Sequence, residues 1–209
     1  MTDADSNRRP IAERSSAWAQ RLAGALARSA ITPNQISVAS VAFAAIGAAL
    51  LMWWPSVAGL LPCALCIQLR LLCNLLDGMV AVEGGKGSPL GRIYNEFPDR
   101  ITDTLFIVAA GYAGGTPWLG WLGAVFAIGT AYVRVFGGSL GIVQDFSGIM
   151  AKQQRMAVLT VACVAAAIES FWHGERYALL AAAALVAAGS LVTSVTRTRA
   201  IAAQLRAGA

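Results

Sequence analysis

The residues able to do chemistry gather in the first half of the chain. Asn74 and Asp77 are spaced i, i+3, and Asn95, Asp99 and Asp103 are spaced i, i+4, i+8. At helical period each set falls on a single face. Carboxylate and amide oxygens brought face to face are hard donors suited to Mg2+ or Mn2+, ions that also grip phosphates. Arg70 lies one turn before Asn74, and Arg134 is a further charge set in apolar sequence. Ionisable groups within a membrane span cost roughly 2.5–3.5 kcal/mol each at the bilayer centre on insertion scales, so a cluster of them marks a functional site by default. The competing reading is a set of paired charges that only fix helix packing. Gly78, Ala81 and Gly91 are small and leave room beside the carboxylates.

The elements that must position these residues are apolar helices. Of 209 residues, 57% are hydrophobic and only 13% charged, with a mean hydropathy of +0.61. A soluble domain carries about 25% charge. The deficit excludes a disordered or nucleic-acid-binding chain, despite a pI near 9.4, and argues against a soluble enzyme. Six apolar segments are predicted to be helical, over 36–54, 57–82, 90–113, 118–140, 155–172 and 177–195. With about 20 residues needed per span, a chain of this length holds about six. Proline and glycine turn signals separate them. Pro33 marks a helix start that Thr32 or Asn34 could cap.

Ahead of the spans, Pro10–Ser29 predicts an amphipathic helix with Ile11, Trp18, Leu22, Ala25 and Leu26 on one side. Arg14, Arg21 and Arg28 recur along its flank. Such a helix lies among lipid headgroups or packs on the membrane domain. The expected fold is therefore an all-α integral membrane protein: six transmembrane helices preceded by an N-terminal amphipathic interfacial helix. Residues 1–9 form a disordered tail, 10–30 the amphipathic juxtamembrane helix, and 31–209 the six-helix transmembrane domain. The short Gly-rich loop at 83–89 makes the second and third spans antiparallel neighbours with opposed polar faces.

Lys and Arg crowd the N-terminal arm, the Lys86 loop, the Lys152 loop and the Arg197/Arg199/Arg206 tail, whereas the Pro55 and Pro117 turns have none. This alternation places both termini and the charged face in the cytoplasm. His173 alone cannot build a histidine zinc site, and Cys63, Cys66, Cys73 and Cys163 read as small buried thiols. Gly111-x3-Gly115 and Gly137-x3-Gly141 read as helix-packing glycines. Gly84–Ser88 lacks P-loop spacing. Pro98 cannot donate to the Tyr94 carbonyl, which becomes either a spare ligand or part of a tolerated kink. Arg134, Lys152 and Arg155, brought together at the cytoplasmic face, could hold the phosphate of a phosphorylated polyol; the bland alternative is orientation by the positive-inside rule.

The run Asn74-x2-Asp77-Gly78-x2-Ala81-Val82-x8-Gly91-x3-Asn95-x3-Asp99 resembles the CDP-alcohol phosphotransferase family. That family has D-G-x2-A-R-x8-G-x3-D-x3-D, with another Asp three residues earlier. Ile31-Thr32-Pro33-Asn34 resembles the segment before the family's first span. The resemblance implies transfer of a phosphoalcohol group, often the phosphatidyl group of CDP-diacylglycerol, to an acceptor hydroxyl with release of CMP, in phospholipid biosynthesis. It implies Asp99 as general base. It implies Mg2+ or Mn2+ held by Asp77, Asp99, Asn74 and Asn95, with Asp103 supplying further charge. It implies nucleotide contacts at Gly78, Ala81 and Gly91, a homodimer, and the cytoplasmic (inner) membrane of a bacterium.

The departures are Asn74, Asn95 and Val82, the last in place of Arg. An Asn carbonyl ligates a hard cation but brings no charge, so two ions bind more weakly or only one binds. Arg70 either pairs with an Asp or touches the diphosphate in place of the missing Arg. The competing functions are a degenerate relative that binds nucleotide or lipid without turnover, and a small transporter. Charges crowding one membrane face speak against the transporter.

Overall fold

The computed structural model describes residues 16–172 and 176–207. The tail at 1–9, the first residues of the amphipathic segment and the turn at His173 lie outside the described residues. Seven helices and no strand occur among those described: α1 Ala17–Arg28, α2 Pro33–Trp53, α3 Val57–Val82, α4 Gly91–Ala113, α5 Pro117–Ser139, α6 Lys152–Glu169 and α7 Tyr177–Ala207.

Local chemistry sets the helix starts. At α2 the Thr32 hydroxyl accepts from the Gln35 N–H at 3.3 Å, and the Gln35 side chain accepts from the Thr32 N–H at 2.9 Å. Pro33 occupies the first turn, where its missing N–H is harmless. α6 begins at Lys152, three residues before the expected Arg155. α7 runs to Ala207, well past Val195, because no glycine or proline interrupts the sequence until Gly208.

α1 is oriented by its alanines. Ala19 and Ala23 are buried against Leu75, Leu76, Met79 and Val80 of α3, while Trp18 is half exposed and Leu22 only a little less so. Lys86, in the loop after α3, donates to the carbonyls of Leu26 and Ile31 and ties that loop to the end of α1.

Four helices are long and apolar enough to cross a membrane by length and composition: α2, α3, α5 and α7. α4 carries Arg92, Glu96, Asp99, Arg100 and Asp103 in its first half, and α6 opens with Lys152 and Arg155.

The expected opposition of the α3 and α4 polar faces is present through side chains, Arg70 reaching Asp99 and Asp103 and Asn74 reaching Asp99, but α2 wedges between the two backbones. Both pack extensively on α2, and they touch each other only sparsely. Gly47 of α2 explains the close approach: a Cβ there would lie 2.7 Å from Cys66 Cβ of α3 and 2.8 Å from the Phe106 ring of α4. α7 packs on α5, α6 and α4, and α6 on α3, which closes the bundle. The core is small and apolar, centred on Ala44, Leu51, Ile67, Phe106, Ile107, Leu159 and Leu179. Cys63, Cys66 and Cys163 are buried free thiols within it.

The two glycine pairs prove to be mixed devices. Gly111 backs directly onto Gly120 of α5, where a Cβ would meet backbone at 2.6 Å, and Gly137 faces Ile201 of α7. Gly115 and Gly141 instead take positive φ, +72° and +79°, at the ends of α4 and α5.

Six helix ends converge on one side of the bundle. Ser37 near the start of α2 meets Asp77 at the end of α3; Asp99 of α4 meets Lys152 of α6; Thr130 of α5 meets Arg197 of α7. The opposite ends carry exposed aromatics: Trp53 and Trp54 after α2, Tyr112 on α4, Trp118 and Trp121 on α5, Trp172 after α6 and Tyr177 on α7.

Candidate functional site

Asp99, buried one-third of the way along α4, is the hub of the polar end. It accepts from Arg70 at 3.2 Å and from the Asn74 amide at 3.1 Å through Oδ1, and from the Lys152 ammonium through Oδ2. Arg100 lies 3.7 Å from Oδ2. Asn74 turns its carbonyl to the same ammonium, at 2.6 Å. Lys152 therefore ties α6 to both α3 and α4. Helical spacing explains why Arg70 and Asn74 reach one carboxylate: they sit one turn apart on the same face of α3.

Asp103, one turn deeper, has both oxygens committed. Arg70 donates to Oδ1 at 2.8 Å, and Arg155 donates to Oδ2 at 2.7 Å. Expected among the metal ligands, it lies between two buried arginines. Arg70 also donates to the Thr102 hydroxyl, at 2.9 Å from Nε and 2.7 Å from Nη2. Of its two expected roles, pairing with aspartates is the one present. Asp77 lies beyond this cluster toward the helix end, where the Ser37 hydroxyl donates to Oδ2 at 2.6 Å. Asn95 is exposed one turn before Asp99, and Gly78, Ala81 and Gly91 are half-buried.

The three cations expected to meet on an acceptor phosphate are distributed over different partners. Lys152 is on Asn74 and Asp99. Arg155 is on Asp103, the Met150 carbonyl at 2.8 Å and the Thr130 hydroxyl at 3.3 Å. Arg134 chelates Glu96 at 2.8 and 2.7 Å, donates to Gln144, and lies over the Phe146 ring at 5.0 Å. Sequence reasoning missed Arg197, which read as an orientation charge in the tail. Its guanidinium donates to the Thr130 carbonyl at 2.8 Å and to the Ser147 carbonyl at 2.6 Å. Arg134 and Arg197 line one depression together with Gly137, Ile142, Val143, Asp145 and Gln204. The available signal was position: Arg197 sits just past an apolar run, where the other site residues also sit.

Comparison with known proteins decides what this arrangement belongs to. No family model matches the chain. Over 189 aligned residues it is 31% identical to the archaetidylinositol phosphate synthase of Aeropyrum pernix, covering 90% of this chain and 92% of that protein. The chain belongs to the CDP-alcohol phosphotransferase family. It is an enzyme of that class. This phosphotransferase is also 25% identical over 197 residues to the phosphatidylinositol phosphate synthase of Mycobacteroides abscessus, covering 86% of this chain and 81% of that one. Its fold matches the Mycobacterium tuberculosis phosphatidylinositol phosphate synthase crystallised with CDP-DAG bound. The TM-score is 0.73 at 19% identity, over 89% of this chain and 94% of that one. A second structure of the tuberculosis enzyme, in complex with manganese and citrate, matches with a TM-score of 0.70 at 19% identity, over 88% of each chain.

The family depends on a divalent metal, so the donors of this phosphotransferase can be tested against one. Both Asp103 oxygens accept from arginines, and both Asp99 oxygens accept from Arg70, Asn74 and Lys152, so the motif offers Asp77, the remaining lone pairs of Asp99 and Asn74, and the Asn95 amide oxygen. No group of three or more His, Cys, Asp or Glu side chains placed to hold a metal occurs among the described residues. Two carboxylates with amide oxygens fit one hard dication. They do not fit two.

Proposed function

We propose that this phosphotransferase moves the phosphatidyl group of CDP-diacylglycerol onto a hydroxyl of an inositol phosphate, releasing CMP. The observation that carries the reading is a juxtaposition at one end of the bundle. Oxygen donors of α3 and α4 lie at the same end as a depression lined by Arg134 and Arg197, and Arg134 is tied to α4 through Glu96. The first suits a diphosphate held through a dication, and the second a phosphorylated acceptor. Similarity to archaetidylinositol phosphate and phosphatidylinositol phosphate synthases favours inositol phosphate over other phosphorylated polyols.

Asp99 acts as general base. It takes the proton of the acceptor hydroxyl as that oxygen attacks the phosphatidyl phosphorus and the bond to the CMP oxygen breaks. Arg70 and the Asn74 amide hold its Oδ1, which fixes the carboxylate for that task. Ser37 orients Asp77. A bound dication, held by Asp77 and Asp99 with the Asn74 and Asn95 amides, supplies charge neutralisation at the diphosphate. Gly78, Ala81 and Gly91 leave room for the nucleotide beside these groups. Arg134 and Arg197 bind the acceptor's phosphate, while Arg155 and Lys152 hold Asp103 and Asp99.

The same reading takes α2 to α7 as six spans, with α1 interfacial and residues 31–209 as one membrane domain. The belt of exposed aromatics at the far ends of α2, α4, α5, α6 and α7 supports this, since Trp and Tyr favour the headgroup level. The Lys- and Arg-rich end is then cytoplasmic and holds both termini, in the inner membrane of a bacterium. A homodimer, implied by the family resemblance, belongs to this reading.

The test is product identification. The full chain, reconstituted in lipid with CDP-diacylglycerol and Mg2+, is offered inositol phosphate, inositol or glycerol 3-phosphate, and the lipids are resolved by mass spectrometry. Phosphatidylinositol phosphate formed only with inositol phosphate is expected. A product with glycerol 3-phosphate alone would reassign the acceptor.

A further inference from the structure

Lys152 is buried at the start of α6, and its ammonium reaches across to the two helices that carry the motif. It donates to Asn74 Oδ1 at 2.6 Å and to Asp99 Oδ2. Both atoms are oxygens of the motif that would otherwise face a cation. The chain therefore supplies a cation of its own between them.

Charge counting sharpens the point. Asp77, Asp99 and Asp103 are the buried carboxylates of this end, and Arg70, Lys152, Arg155 and Arg197 are its buried cations; Asp99 and Asp103 pair with the first three, while Asp77 is held by Ser37. At the rim, Glu96 is shared by Arg100 and Arg134. The buried charges sum to one positive, and the rim adds another, before any metal binds. One dication there is already a demand on Asp77 and Asp99. A second would bring two more positive charges to within contact range of an ammonium, in a site where screening by water is weak. Asn at 74 accepts from the ammonium without adding the fourth negative charge that a second dication would need. The amide accepts from Lys152 through its carbonyl and donates to Asp99 at 3.1 Å through its nitrogen. An aspartate could not make the second contact.

We propose that Lys152 stands in for a second divalent ion, so that this chain works with one dication and one lysine ammonium. The inference rests on the phosphotransferase reading above. An ammonium carries three N–H donors. Two go to Asn74 and Asp99, and the third serves a phosphate oxygen of the substrate. The departures at Asn74 and Asn95 are then part of one altered site and not signs of decay.

The test counts metal without relying on turnover. The full chain in lipid nanodiscs is titrated with Mn2+ in the presence of CDP, by calorimetry and by the loss of the free Mn2+ resonance signal. One Mn2+ per chain is expected. Lys152→Gln removes the competing charge and should tighten Mn2+ binding roughly tenfold or more. Asn74→Asp/Asn95→Asp/Lys152→Gln should bind two, with monodisperse elution confirming that it folds. Two Mn2+ per wild-type chain, none, or an affinity unmoved by Lys152→Gln would each overturn the proposal. CMP release, followed in the same samples, separates the two readings. Two Mn2+ with release intact overturns this inference alone. One Mn2+ with no release from CDP-diacylglycerol under any acceptor supports the metal count and overturns the proposed function.

Discussion

Arg155 and Asp103 form an ion pair at 2.7 Å in which the side chains are only 2% and 3% exposed. Arg70 holds the other Asp103 oxygen at 2.8 Å, so one carboxylate pins α3, α4 and α6 together. Removing one partner of a buried pair leaves an uncompensated charge and costs about 3–5 kcal/mol. Asp103→Asn is therefore expected to destabilise the protein by about 3 kcal/mol or more, read as a drop in the thermal midpoint in detergent. An unchanged midpoint would mean that the arginines find other partners and that Asp103 is not the anchor.

Arg134 is expected to act on acceptor binding and not on the chemical step. Its guanidinium sits at the depression it shares with Arg197. A hydrogen bond to a charged group contributes about 1.5–3 kcal/mol. Arg134→Ala should accordingly raise KM for a phosphorylated acceptor by roughly 10- to 100-fold with kcat little changed. Arg134→Lys should recover only part of this, because Lys offers a point charge in place of a planar fork. Initial-rate kinetics against acceptor concentration decide it; a fall in kcat at constant KM would place Arg134 elsewhere in the mechanism.

Gly47 should resist enlargement. Its Cβ would lie 2.7 Å from Cys66 Cβ and 2.8 Å from the Phe106 ring, at the point where α2 wedges between α3 and α4. Overpacking of this kind costs about 1–3 kcal/mol. Gly47→Ala is expected to lower the thermal midpoint and to reduce CMP release at elevated temperature first. A variant as stable as the parent would show that the wedge is looser than its geometry implies.

The motif was legible because helical period carries it. Arg70, Asn74 and Asp77 fall on one side of α3, and Asn95, Asp99 and Asp103 on one side of α4, whatever the tertiary detail. What remained hidden depends on contacts far apart in the chain. Ser37 reaches Asp77 across 40 residues, and Arg197 reaches the Thr130 carbonyl across 67. A lone serine or arginine carries no local mark of such a partner. The splaying of α3 and α4 around α2 was equally hidden, since it depends on the space that one glycine leaves. The role of Asp103 turned on Arg155, which read as an acceptor-phosphate ligand or an orientation charge at the start of a span and is buried against Asp103. The end of α7 was missed for a simpler reason: hydropathy stops near Val195, but nothing there stops a helix.

The most direct test of the central claim is CMP release from CDP-diacylglycerol by the purified full chain in lipid. Inositol phosphate is present, with Mg2+ or with a chelator, for the wild type and for Asp99→Asn. Release is expected only with the metal, in step with formation of the lipid product. It should fall by roughly 100-fold or more in Asp99→Asn if that carboxylate is the base. Release that survives the chelator, or an Asp99→Asn variant as fast as the parent, would contradict the account.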